Sequence, residues 1–322
     1  MTTAPPVRPI LLEDILAARE RIRGVITRTP LIRLRHNITG VPEIWLKLES
    51  LQPINAFKLR GAANAVALLS PEAREKGVWT ISAGNAGQGV AYAAREAGIK
   101  CTVLVIDKAP ETKIERMRDL GAHLIKAPFD ACWQAMDDRA YPGIEGTFVH
   151  PFDDHDFQAG NATIALEVME DLPHVKTVLA AIGGGGLIGG IGAGMRHVAP
   201  HVKVFGAEPE TAAPGAASFA ANAPLEFPQW QASFVDGAGG KSIFPRMWER
   251  LKDTVDGSIV VTLDEVRRAM RIMAEKVRVI AEGAGALGVA AALQGNVEGP
   301  VVCVVSGGNI DLKKFCELVV GG

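Results

Sequence analysis

Residues 177–195, TVLAAIGGGGLIGGIGAGM, carry no charge, and eight of the nineteen are glycine, four of them consecutive. The stretch has the length and apolarity of a membrane span. Its glycines argue against that use, because a helix so poor in side chains would unravel in lipid. What remains is a strand (TVLAAI), a glycine turn and a helix. A strand apolar at nearly every position is buried on both faces, as in a parallel sheet covered by helices. This one segment points to an α/β fold.

The rest of the chain repeats the alternation. Short apolar runs predict strands at 44–49, 78–82, 101–106, 123–127, 147–150, 177–182, 202–208 and 301–306. Helical patterns fall near 11–23, 58–70, 86–98, 111–120, 130–139, 157–170, 187–198, 263–276 and 284–294. These strands suffice for one sheet or two. Residues 208–245, rich in proline and alanine, break the alternation and read as a functional loop or subdomain connection. Hydrophobic residues make up 48% of the 322, enough for a large core, so disorder is excluded. The 34 basic and 36 acidic side chains leave a formal net charge of −2, with no basic excess for nucleic acid. Four scattered cysteines (Cys101, Cys132, Cys303 and Cys316) contain no Cys-x-x-Cys pair. Cys101 and Cys303 lie in apolar runs and read as small buried hydrophobes in a reduced, cytoplasmic setting. The opening MTTAPPVRPILLEDIL lacks the apolar core of a signal peptide.

Ligands of open parallel sheets bind beyond the carboxyl ends of strands, and four predicted strands run into segments with chemical content. In PINAFKLRGAANAV (53–66), Lys58 begins a helix, where the dipole disfavours an ammonium and helps keep the amine neutral for imine chemistry. The plain alternative is a solvated helix lysine. In SAGNAGQGVAYAA (82–94), Ser82 and Asn85 lead into a helix whose first N–H groups make a carboxylate or phosphate cradle, or an ordinary capped turn. AIGGGGLIGG (181–190) offers a second cradle, or tight helix–strand packing. Its Gly184-x-Gly186-x-x-Gly189 spacing also fits a dinucleotide site, with Glu208 nineteen residues past Gly189 as the ribose-binding acid. In VVSGGNID (304–311), Ser306 presents a hydroxyl beside Gly307 and Gly308, which let a ring lie close; the alternative is a turn after an edge strand. An imine-forming lysine, two cradles and a hydroxyl together suit a pyridoxal phosphate site.

The motifs TRTPL (27–31), LKLESLQP (46–53), AFKLRGA (56–62), SAGNAGQG (82–89), HPFDD (150–154), GGGGL (183–187), GAEP (206–209) and SGGN (306–309) carry a resemblance to a known family. In order and spacing the chain resembles the fold type II pyridoxal-phosphate enzymes, in the serine/threonine dehydratase branch that also holds serine racemase. The resemblance covers nearly the whole sequence and leaves no room within it for an added regulatory domain. It implies a tryptophan synthase β-like α/β fold of two open, mostly parallel twisted sheets covered by helices. It also implies a large cofactor-binding domain (1–78 plus 150–322) and a small domain (79–149) that closes over the substrate. By the same resemblance, Lys58 is joined to the cofactor aldehyde and is the α-proton base. Phe57 lies under the ring, Asn85 meets the ring 3′-oxygen, Ser306 the ring nitrogen, and Glu282 stands near the ring. Gly183, Gly184, Gly185, Gly186 and Leu187 form the phosphate cup, and Ser82, Ala83, Gly84, Asn85 and Ala86 clamp the substrate carboxylate.

This chain departs from the family pattern at several positions. Ala56 replaces serine before Phe57-Lys58, Gly160-Asn161-Ala162-Thr163 replaces a frequent Gly-Gln-Gly-Thr, and Gly283 stands where proline is usual. Pro214 falls where some relatives have a metal-binding aspartate, so no metal is expected. Ala86 replaces a histidine frequent in threonine dehydratases, and Ala83 replaces the second catalytic serine of serine racemase. The implied reaction uses pyridoxal 5′-phosphate to convert a β-hydroxy-α-amino acid to a 2-oxo acid and ammonia. The substrate is of the L-threonine/L-serine type, or a β-aryl serine such as L-phenylserine, given the volume freed at Ala86. A homodimer is implied, without nucleic acid or membrane partners. The alternatives are a serine racemase-like enzyme, a dinucleotide-dependent oxidoreductase using the 184–189 glycines, and a non-catalytic amino-acid-binding protein. His150 and His155 read as loop residues, Trp230 and Trp248 as packing, and Met270 and Met273 as core or subunit interface.

Overall fold

The computed structural model describes residues 5–320, so the first four residues of the N-terminal segment lie outside the described residues. The strands are β1 (Leu31–Leu34), β2 (Ile44–Lys47), β3 (Val78–Ile81), β4 (Cys101–Ile106), β5 (His123–Ala127), β6 (Thr147–Phe148), β7 (Thr177–Ala181), β8 (Lys203–Pro209), β9 (Gly257–Val261) and β10 (Val301–Val304). They form two sheets. The larger has the order β1-β2-β10-β7-β8-β9, the smaller β5-β4-β3-β6. Every pairing is parallel except β1 with β2, where Leu31 faces Lys47 and Leu34 faces Ile44. β7 and β10 are buried at every residue, as their unbroken apolar runs require.

The helices are α1 (Leu12–Ile22), α2 (Lys58–Ala67), α3 (Pro71–Lys76), α4 (Asn85–Glu96), α5 (Glu111–Asp119), α6 (Phe129–Asp138), α7 (His155–Asp171), α8 (Gly186–Val198), α9 (Pro214–Ala221), α10 (Pro245–Leu251), α11 (Leu263–Val277), α12 (Gly283–Leu293) and α13 (Leu312–Val320). One core lies between the large sheet and α11–α13, where Met270 and Met273 are fully buried and so belong to the core rather than to a subunit interface. A second, on the sheet's other face, holds α7, α8 and Trp248. A third joins α2 and α4 to the small sheet. The uncharged 177–195 stretch is β7, a turn and α8. Among the described residues, no helix is long and apolar enough to cross a membrane.

Several elements were not predicted. β1 reads LIRL, with Arg33 interrupting an already short run, and β9 reads GSIVV, too brief to stand out. The Pro/Ala segment is not a plain loop: Pro214 opens α9, and Glu226 pairs with Ser242 in an isolated bridge. α3, α10 and α13 were also missed. His155 is the first residue of α7, not a loop residue, because the Asp154 carboxylate accepts the Phe157 N–H at 2.8 Å and starts the helix there.

Candidate active site

The segments after β2, β3, β7 and β10 meet at the carboxyl ends of their strands. The Phe57 N–H donates to the Ser306 carbonyl at 3.0 Å, and Ala56 and Gly307 form an isolated bridge. The Glu282 N–H donates to the Gly307 carbonyl at 3.1 Å, which brings the start of α12 to the same place. α4 crosses α2 closely enough that a Cβ on Gly89 would lie 3.2 Å from the Lys58 carbonyl oxygen.

Lys58 is the first residue of α2. Its Nζ donates to the Pro151 carbonyl at 2.5 Å and lies 5.2 and 5.5 Å from the ring centroids of Phe57 and Phe157. The residue as a whole is half-buried, but its amine is packed among protein atoms, and that burial lowers its pKa to about 8. At neutral pH a usable fraction of this amine is unprotonated.

Two residues on, Arg60 is fully buried between two carboxylates. It meets Glu49 through Nε and Nη2 at 2.8 and 2.9 Å, and Glu167 through Nη1 and Nη2 at 2.7 and 2.8 Å. Lys47 completes a neutral quartet at 2.5 Å from Glu167. Such pairing is what makes buried charge tolerable, and it fixes the α2 backbone that carries Lys58.

On the opposite wall, Asn85 opens α4. Its Nδ2 donates to Glu282 Oε1 at 2.8 Å, and its Oδ1 accepts from Asn309 Nδ2 at 2.7 Å. Asn309 also donates to the Ile54 carbonyl at 2.8 Å and accepts from Arg116 of α5 at 2.5 Å. The amide of Asn85 is therefore held from both ends. Ser82 Oγ accepts the Gly84 N–H at 3.1 Å, which tightens the turn into α4. Ala83 and Gly84 line that turn, and Ala86 is buried just inside the helix.

The four-glycine turn leads into α8. Gly185 has φ +87°, a conformation glycine adopts without strain. The first-turn N–H groups of this 13-residue helix, from Gly186 and Leu187 onward, have no intrahelical acceptor. Phe152 packs against Gly184 and Gly186, and Gly183 lies beside Gly237, so the turn joins the same enclosure as Pro151 and Glu282. Ser306, at the end of β10, is buried.

Glu208 does not join this site. It is fully buried, and its carboxylate accepts from Gly215 N (2.8 Å), Ala216 N (2.7 Å) and Ser258 Oγ (2.6 Å). It anchors the start of α9, so the ribose-binding role in the dinucleotide alternative is corrected: the carboxylate is fully buried and turned to α9 and Ser258 of β9. Pro214 opens that same helix, and no group of three His, Cys, Asp or Glu side chains able to hold a metal exists among the described residues.

The structure adds residues that sequence reasoning left without a role: Pro151 and its neighbours His150 and Asp153, Asn309, and the Arg60 quartet. Asn309 and Pro151 stood inside quoted motifs, SGGN and HPFDD. Their partners are between 93 and 255 residues away in sequence, so no local pattern exposes them.

The family model described as pyridoxal-phosphate dependent enzyme matches residues 22–307. The chain is 40% identical over 319 residues to the L-threonine ammonia-lyase of Thermotoga maritima, covering 97% of this chain and 79% of that protein. It is 35% identical over 323 residues to the catabolic L-threonine dehydratase of Staphylococcus aureus, covering 97% and 93%. The solved structure of maize serine racemase superposes with a TM-score of 0.90 at 30% identity, covering 98% of each chain.

Proposed function

The chain belongs to the pyridoxal-phosphate dependent enzyme family, and we propose that it acts as a hydroxy-amino-acid dehydratase, converting a β-hydroxy-α-amino acid to a 2-oxo acid and ammonia. The observation that carries this reading is Lys58, an amine with its pKa lowered to about 8 by burial, set among two helix N-termini and a buried hydroxyl. That donor set fits pyridoxal 5′-phosphate. The unfilled N–H groups of α8 suit its phosphate, and a Cβ on Gly307 would collide with Glu282, so the floor of the site is kept free of side chain. Lys58 would hold the aldehyde carbon, Gly183–Leu187 the phosphate, Asn85 the 3′-oxygen and Ser306 the ring nitrogen, with Phe57 and Glu282 beside the ring. When bound, the cofactor supplies an electron-withdrawing ring that spreads negative charge from the substrate's α-carbon.

The chain's own residues do the rest. The turn from Ser82 to Ala86 and the α4 N-terminus bind the carboxylate and orient the α-hydrogen toward the amine. Lys58, released from the aldehyde carbon when the substrate amine takes its place, takes that proton. As the β-C–O bond breaks, the departing hydroxyl takes up a proton, which the bound cofactor's phosphate would supply, and leaves as water. Segment 79–149, as a small domain, closes over the substrate and excludes solvent. Ala83 presents only a methyl group on the face opposite Lys58, so no second acid returns a proton there. This favours elimination over racemisation, even though the fold is close to that of maize serine racemase.

The relatives named for L-threonine support a threonine or serine substrate. The freed volume at Ala86 supports acceptance of a larger β-substituent, so the substrate we propose is of the L-threonine/L-serine type and extends to a β-aryl serine such as L-phenylserine, with a cytoplasmic homodimer as the working form. Turnover of threonine, serine and 3-phenylserine, read as 2-oxo acid and ammonia together with chiral assay of recovered serine, tests this. 3-Phenylserine is expected to turn over no more slowly than threonine and serine; clear preference for threonine or serine removes the aryl assignment, and dominant D-serine formation removes the dehydratase.

A further inference from the structure

We infer that His150 is a positioning residue for Lys58: its imidazole pins the turn that presents the Pro151 carbonyl to the lysine amine. The inference rests on the reading of Lys58 as the group that moves the α-proton.

His150 is buried, and its Nδ1 accepts the backbone N–H groups of Phe152 at 3.3 Å and Asp153 at 3.0 Å. An Nδ1 that accepts carries no proton, so the ring proton sits on Nε2. Burial, followed by the charges of Arg139, Lys58, Arg246 and Arg250, holds the imidazole pKa well below its ordinary value. The cap therefore stays neutral and keeps accepting across the working range.

Both ends of the turn are clamped. On one side the Val149 N–H donates to the Trp79 carbonyl at 2.8 Å, and Thr80 Oγ1 donates to the Val149 carbonyl at 2.8 Å. On the other, the Asp153 carboxylate meets Arg139 at 2.9 Å, Arg246 at 2.6 Å and Arg250 at 3.4 Å. Asp154 then caps α7. Pro151 lies at the centre of this frame, and its carbonyl has little freedom to leave Lys58.

The chemical consequence concerns the amine after it has acted. Its lone pair forms a new N–H bond as the substrate's α-C–H bond breaks, and the electron pair stays on that carbon. The ammonium that results donates to the Pro151 carbonyl. A fixed acceptor favours the protonated amine while burial disfavours it, and the balance keeps Lys58 basic enough to take a proton yet neutral enough to start.

The test is the pH dependence of Lys58 acetylation by acetic anhydride in the full chain before cofactor loading, read by peptide mass mapping. It is combined with kcat and KM of the loaded enzyme. Wild type is expected to titrate near 8. His150→Leu keeps the bulk and removes the acceptor, so its midpoint falls by about one unit, and kcat drops about tenfold with KM little changed. His150→Asn keeps an oxygen able to accept both amides and should restore the wild-type midpoint. If His150→Leu does not fold, His150→Gln, whose longer arm cannot cap both amides, replaces it with the same expected shift. A wild-type midpoint in the acceptor-less variant, or an equal fall in His150→Asn, overturns the positioning role alone. A wild-type lysine titrating at the ordinary value of 10.5 removes the reading of Lys58 itself, and this inference with it.

Discussion

At the scale of single residues, the site depends on side chains that are held rather than merely present. Asn85 is gripped at both ends of its amide, by Asn309 and by Glu282, and Gly307 keeps the space beneath them open. A methyl on Gly307 would push into Glu282 and lie 3.2 Å from Asn85 Nδ2. Gly307→Ala should therefore weaken cofactor binding about tenfold, the worth of one hydrogen bond, with thermal stability little changed. Cofactor titration followed by visible absorbance checks this, and an unaltered affinity would show that Asn85 does not depend on the floor. Ser82, Asn85 and Ser306 were legible in the sequence because each stands in a glycine-bearing segment directly after a strand, and Lys58 because it is a lysine at the start of a helix. Pro151 was not, since a backbone carbonyl leaves no signature in residue type.

Among the secondary elements, glycine carries two duties that composition cannot separate. Gly183 to Gly186 shape the turn before α8, but Gly190 serves helix packing: a Cβ there would lie 2.7 Å from the Gln158 carbonyl and 3.0 Å from Asn161 Cβ, on α7. Gly190→Ala is expected to destabilise the fold by about 1–3 kcal/mol through overpacking. Urea unfolding measures this, and a neutral substitution would mean that α7 and α8 have room to part. The long parallel strands and amphipathic helices were readable because their apolar periods are strong. α9 was not: its start is set by Glu208, which accepts the N–H groups of Gly215 and Ala216 from the end of β8. The same contacts turn a residue that looked like a ribose ligand into a helix anchor.

Across the whole molecule, the Arg60 quartet joins β2, α2 and α7, and so couples the lysine-bearing helix to the large sheet. Burial pushes the Glu167 carboxyl up, but hydrogen bonds and charge from Arg60, then Lys47, prevail and hold its pKa below the ordinary value. A lowered carboxylate pKa adds stability that is present above the unfolded value and lost as pH falls through the folded one. Arg60→Met takes the guanidinium from Glu49 and leaves Glu167 with Lys47 as its remaining cationic partner, one buried negative charge in excess, and should cost about 3–5 kcal/mol. Adding Glu49→Gln should recover part of that loss. Denaturant titration of both variants decides it, and an additive or larger loss in the double variant would show that the quartet does not act as a unit.

The sequence by itself determined the fold class, the lysine proposed as the base and the glycine turns at the strand ends around it. Strand burial, helical period and glycine turns are short-range consequences of residue type. Only the tertiary structure decided which side chains brace those groups: the carbonyl of Pro151 on Lys58, Asn309 on Asn85, Arg60 under α2, and Glu208 turned away from the site. Each of these contacts joins residues distant in the chain, and which polar atom meets which is settled by how the two sheets and their helices pack, since every buried polar group must find a partner wherever that packing leaves it.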